Sequence, residues 1–148
     1  MTSQILSTFS AKAAQNQAVF VSFITAGYPS LDDTVPIMLG LQAGGADIIE
    51  LGIPFSDPQA DGPAIQVSNQ VALSQGITMK HCLNYVRQAR KQGLTVPVLL
   101  MGYYNPMLAY GEEAIIRDAK EAGANGFILV DLPPEEAEEF RSHCTQYG

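Results

Sequence analysis

The chain has 148 residues, 47% of them hydrophobic, so it is long enough to bury one core and its composition excludes a disordered or fibrous protein. Fifteen acidic against eight basic residues give a net charge of -7, which argues against general affinity for nucleic acid or an anionic membrane surface. Cys82 and Cys144 each directly follow a histidine, with no further ligand at metal-binding spacing, and two such isolated thiols fit a reducing compartment. Residues 1–17 resemble neither a secretory nor a transit peptide, and no run approaches the roughly 18 apolar residues of a membrane span. A cytoplasmic protein is expected.

In chain order, residues 18–25 form the first apolar, β-rich run, broken by Gly27-Tyr28-Pro29. Ser30-Leu31-Asp32-Asp33 has capping-box form and opens a helix with Val35, Met38 and Leu39 on one face. The second run, residues 48–51, is entered through Gly44-Gly45 and left through Gly52. Two helical patterns follow, at about 63–74 and 78–92; in the second, Arg87, Arg90 and Lys91 sit where a helix C-terminus favours cations. Leu94-Thr95-Val96 leads into a third run, 97–101, and a further helix is expected between 111 and 121. The fourth run, 126–130, ends at Asp131-Leu132-Pro133-Pro134 and leads into an acidic helix whose first turns hold Glu135, Glu136, Glu138 and Glu139. Residues 43–54 loosely echo 122–133, as they would if each unit solves the same packing problem. Strands alternating with helices predict four parallel βα units, and no linker divides residues 1–148 into domains. The pattern fits a doubly wound sheet and a barrel equally.

Glu50 stands out as a carboxylate within an apolar strand. Position alone leaves two readings open: a general acid or base at a strand's C-terminal mouth, or a glutamate that merely reaches water or caps the next loop. Residues 52–63 hold three prolines, two glycines and two aspartates, which makes a shaped loop rather than a regular element. Folded back, that loop brings Asp61 and Glu50 to one pocket; the simpler alternative makes Asp57 and Asp61 turn formers. Phe23, Met101, Tyr103, Ile128 and Val130 lie at the other strand ends, as an apolar wall for a planar ligand or as plain core. With no dinucleotide fingerprint, P-loop, nucleophile elbow or metal cluster, acid–base chemistry without a cofactor is the expected class.

The run Glu50-Leu51-Gly52-Ile53-Pro54-Phe55-Ser56-Asp57-Pro58, then Ala60-Asp61-Gly62-Pro63 and Ile65-Gln66, resembles the signature of the tryptophan synthase alpha chain family. Phe23-Ile24-Thr25-Ala26-Gly27-Tyr28-Pro29, Met101-Gly102-Tyr103-Tyr104-Asn105-Pro106 and Val130-Asp131-Leu132-Pro133-Pro134-Glu135-Glu136 support it in the family's order. The resemblance implies a TIM (β/α)8 barrel, of which this chain supplies about the first four units; a complete barrel needs about 250 residues. It implies a lyase that cleaves indole-3-glycerol phosphate to indole and glyceraldehyde 3-phosphate without a cofactor or metal. Glu50 and Asp61 would then be catalytic, with Phe23, Met101, Tyr103, Ile128 and Val130 lining the indole pocket. Met101 stands where the family is expected to have leucine, a tolerable swap at similar volume. Asp57 and Pro58 resemble the loop that signals to a β-type partner, chain or fused domain, which uses pyridoxal phosphate to make L-tryptophan.

The resemblance also implies that the phosphate-binding loops after strands seven and eight lie outside these residues, so the piece alone is expected to turn over little. A catalytically inactive fragment that associates through its open first and fourth strands is the alternative. Another phosphosugar barrel would call for a lysine or metal-ligating histidines at strand ends, and these units have none.

Overall fold

The computed structural model describes residues 3–148. Its elements are α1 (Gln4–Ala14), β1 (Val21–Thr25), α2 (Thr34–Ala43), β2 (Ile48–Gly52), α3 (Pro63–Ser74), α4 (Met79–Lys91), β3 (Val98–Gly102), α5 (Tyr104–Tyr110), α6 (Glu112–Ala122), β4 (Gly126–Leu129) and α7 (Glu138–Tyr147). The four strands pair in parallel in the order β1-β2-β3-β4, so sheet order equals chain order and each crossover carries helix. This is the succession of βα units of a half barrel. Among the described residues, β1 and β4 are its unpaired edges. No helix among the described residues is long and apolar enough to cross a membrane.

The register fixes which side chains share a face. Phe23 pairs with Glu50 and Thr25 with Gly52; Glu50 pairs with Leu99 and Gly52 with Met101; Met101 pairs with Ile128. Because residues alternate across the sheet, these lie on one face, and Ile49, Leu51, Val98 and Leu100 lie on the other. The second set is fully buried and packs with Met38, Leu83, Val86, Ala89, Ile115 and Ala119 of the helices. The core therefore sits between sheet and helices, which leaves the Glu50 face to become the barrel's inner face.

Several sequence expectations shift at their edges. The predicted first strand starts at Val21 rather than residue 18, and β4 ends at Leu129, one residue before the predicted end. The predicted capping box before α2 is absent: Ser30 Oγ donates to Asp33 Oδ2 at 2.7 Å, while the helix begins at Thr34 with no side-chain cap. The two side chains bond each other rather than the helix donors. In α7 only Glu138 and Glu139 occupy the first turn; Glu135 and Glu136 lie in the turn before it. α1 and α5 were not expected. The echo between residues 43–54 and 122–133 has a local cause, because α2 and α6 both end in a glycine at positive φ, Gly45 and Gly123. The next residue then donates back across the helix end, Ala46 N to Leu41 O and Ala124 N to Ala119 O, both at 2.9 Å.

Two polar groups tie the strand N-terminal end together. Arg90 in α4 is half-buried and donates to Leu94 O, Val96 O, Gly123 O and Asn125 Oδ1 at 2.7–3.0 Å. Burial pulls its pKa below the ordinary arginine value, but a guanidinium stays charged, so these acceptors hold a cation that has no carboxylate partner among the described residues. Asp47 accepts from Phe20 N at 2.8 Å and pairs with Lys12 of α1 at 2.9 Å. The lysine first, and the Phe20 N–H second, hold its carboxyl below the usual range.

Replacing Arg90 by methionine strands three carbonyls and is expected to lower stability by about 1–3 kcal/mol, read as a lower urea midpoint. Asp47's depressed folded-state pKa sets the sign of a pH effect. Its contribution is complete above the usual carboxylate range and is lost as pH falls through the depressed value. Amide protection factors in α1, taken against the intrinsic exchange rate at each pH, should fall on acidification, and Asp47→Asn should show the lower protection already at neutral pH.

Candidate active site

The C-terminal ends of β1, β2 and β3 surround a narrow, open cleft that also reaches Val130, the residue after β4. Its apolar walls include Phe23, Ile53, Met101 and Val130, and Asp61 supplies the carboxylate. Gly52 is what allows Phe23 to lie there: a Cβ on Gly52 would fall 2.5 Å from the Phe23 ring. The glycine reflects a close approach rather than a turn.

Glu50 lies on the same face as Gly52, two residues toward the strand's start, beside Phe23 and Leu99. Two residues along a strand span about 7 Å, so Glu50 sits just below the cleft rather than in its wall. It is half-buried, and no described side chain hydrogen-bonds it. An uncompensated carboxyl on an apolar face is chemically available in a way that a paired one is not.

Asp61 is placed by the loop after β2, and three contacts hold that loop. Phe55 N donates to Asn69 Oδ1 of α3 at 2.9 Å, and Asn69 Nδ2 donates to Ile65 O at 2.8 Å. Gln66 Nε2 donates to Asp61 O at 2.8 Å. The third contact comes from the Tyr103 hydroxyl, which accepts from Ala60 N at 2.9 Å and donates to Asp61 Oδ2 at 3.0 Å. Burial first, then the neighbouring Asp61 carboxylate, raise the Tyr103 pKa against the opposing Ala60 N–H, so the phenol keeps its proton. Its ring tilts against Phe55 with centroids 5.2 Å apart.

The residues singled out in sequence thus divide. Phe23, Met101, Tyr103, Val130 and Asp61 line the cleft, and Glu50 and Ile128 share its sheet face without lining it. Asp57 is exposed and Pro58 half-buried at the outer part of the loop, away from the cleft wall. Thr25, Ile65 and Asn69 also line the cleft, although the sequence reading does not single them out as site residues. Thr25 and Asn69 belong to a buried polar seam in which Thr25 Oγ1 and Ser68 Oγ lie 2.7 Å apart. Polar residues scattered among the apolar ones of α3 carried no sequence signal of this seam.

Comparison with known proteins matches the geometry. The family model described as "Tryptophan synthase alpha chain" matches residues 9–148. Tryptophan synthase of Saccharomyces cerevisiae is 58% identical over all of this chain, which spans 21% of that relative. The tryptophan synthase alpha chain of Geotalea uraniireducens is 51% identical over 99% of this chain and 54% of its own length. The crystal structure of tryptophan synthase subunit alpha from Legionella pneumophila superposes with a TM-score of 0.97 at 44% identity, covering all of this chain and 56% of that one. The chain thus spans about half the length of the bacterial alpha chains it matches. With four parallel βα units in common and a family match over nearly every residue, this chain belongs to the tryptophan synthase alpha chain family.

Proposed function

We propose that this chain carries the catalytic half of a lyase site for indole-3-glycerol phosphate, releasing indole and glyceraldehyde 3-phosphate. One observation above all supports the reading: Asp61 is fixed at the mouth of an apolar cleft while Glu50 lies on the same sheet face just below it. The cleft's aromatic and aliphatic walls suit a flat indole ring, with Phe23, Met101, Tyr103 and Val130 around it and Ile128 on the same sheet face.

Cleavage breaks the bond between indole C3 and the first carbon of the glycerol phosphate side chain. The electrons of that bond must return to the ring. Protonation at C3 creates an indolenine-type cation that can accept them, and the hydroxyl on the side-chain carbon loses its proton as that carbon becomes the aldehyde. Glu50 gives the proton to C3 and, as the carboxylate, then takes the hydroxyl proton, so it ends as it began. Asp61 accepts a hydrogen bond from the ring N–H and stabilises the positive charge that develops there. Proton transfer and charge stabilisation by two carboxyls complete this scheme without a cofactor. Pyridoxal phosphate belongs to a β-type partner, which joins the released indole to serine and makes L-tryptophan. Asp57 and Pro58, on the outer loop, would contact that partner, a role consistent with the exposure of Asp57. The yeast relative, of which this chain spans 21%, supports a partner fused on one polypeptide.

The test is indole release from indole-3-glycerol phosphate by this chain joined to the remaining units of a bacterial alpha-chain relative. Glu50→Gln is expected to lower kcat by about 10²–10⁴, and Asp61→Ala by about 10²–10³. A folded hybrid that releases no indole, or that is indifferent to Glu50→Gln, would overturn the assignment.

A further inference from the structure

Tyr103 has a polar task beyond lining the cleft. A phenol has one proton and two lone pairs. The Ala60 N–H occupies one lone pair, and the hydroxyl donates its hydrogen bond to Asp61 Oδ2. The direction of both bonds is therefore fixed. Asp61 Oδ1 accepts no hydrogen bond among the described residues, which leaves it as the oxygen open to a ligand donor.

The other two anchors of the loop do not reach this carboxylate. Asn69 holds Phe55 N and Gln66 holds the Asp61 main-chain carbonyl, so either leaves the Asp61 side chain free to rotate. Tyr103 is rigid enough to stop that rotation. It is 7% exposed, lies between the end of β3 and the start of α5, and packs against Phe55. A phenylalanine here would fill the same space and keep the same apolar wall, so packing alone does not account for the hydroxyl.

We infer that Tyr103 is a positioning residue for the proposed cleavage: its hydroxyl locks Asp61 Oδ2 and the Ala60 N–H together and presents Asp61 Oδ1 to the substrate's ring N–H. The inference rests on the lyase reading and adds a specific residue to it. Pre-setting the carboxylate removes a rotation that would otherwise be frozen during the reaction, so its benefit falls on the chemical step. Binding of the apolar ring depends on the walls and changes little.

The experiment is a double-mutant cycle in the hybrid described above, with Tyr103→Phe, Asp61→Ala and the pair. Tyr103→Phe is expected to lower kcat about ten- to hundredfold with KM within about threefold, and to change kcat less than about twofold when Asp61 is already alanine. The ¹³C signal of the Asp61 carboxyl should also move in Tyr103→Phe, a reading that does not require turnover. An unchanged kcat, an equal loss in the Asp61→Ala background, or an unmoved carboxyl signal would each overturn the inference. A folded wild-type hybrid without indole release would instead overturn the lyase reading on which it rests.

Discussion

Parallel strands in register carry their side chains alternately to the two faces, and this alternation decides what each residue of β2 can do. Ile49 and Leu51 enter the core against the helices, while Glu50 and Gly52 turn the other way. A slip of one residue would bury Glu50 among Met38, Leu83 and Val86 and turn two core side chains outward. The cost of burying an unpaired carboxyl and exposing the apolar pair holds the register. The same constraint therefore stabilises the sheet and aims the carboxyl.

On that face the two carboxyls proposed for the chemistry come from a strand and a loop. Glu50 is held by the backbone ladder itself, which admits little movement. Asp61 belongs to a breaker-rich segment with no regular hydrogen bonding, and α3 and Tyr103 supply the order that the backbone lacks. Gly52 links the two parts, because its missing side chain admits the Phe23 ring that walls the cleft between them. At the opposite end, Arg90 and Asp47 bind the strand entries to α4, α6 and α1. The stabilising contacts and the proposed site thus lie at opposite ends of the same four strands, as expected of this class of barrel.

Much of this was legible in the sequence. The four strands, the helices α2, α3, α4 and α6, and the carboxyls followed from apolar runs, breakers and a long specific motif. α1 escaped because none of its residues is buried, so it has no strong apolar stripe to read; Ser3, which accepts from Leu6 N as the N-cap, was the available sign. α5 escaped because Asn105-Pro106 reads as a breaker. Pro106 is the third residue of that helix, within the first turn, where a backbone donor has no intrahelical partner to lose. The hydroxyl of Tyr103 was hidden for another reason: spacing placed an aromatic at the pocket wall, but its contact with residues 60 and 61 depends on how an irregular loop folds back.

The claim that the Glu50 face, and not the helix-covered face, receives an indole ring can be tested on this chain without turnover. Indole would be titrated into methyl-labelled protein while ¹H–¹³C signals are followed. The account expects shifts at Met101, Ile128 and Val130, with Leu100 and Leu129 of the same strands unmoved. Shifts led by Leu100 and Leu129, or none at saturating indole, would contradict it.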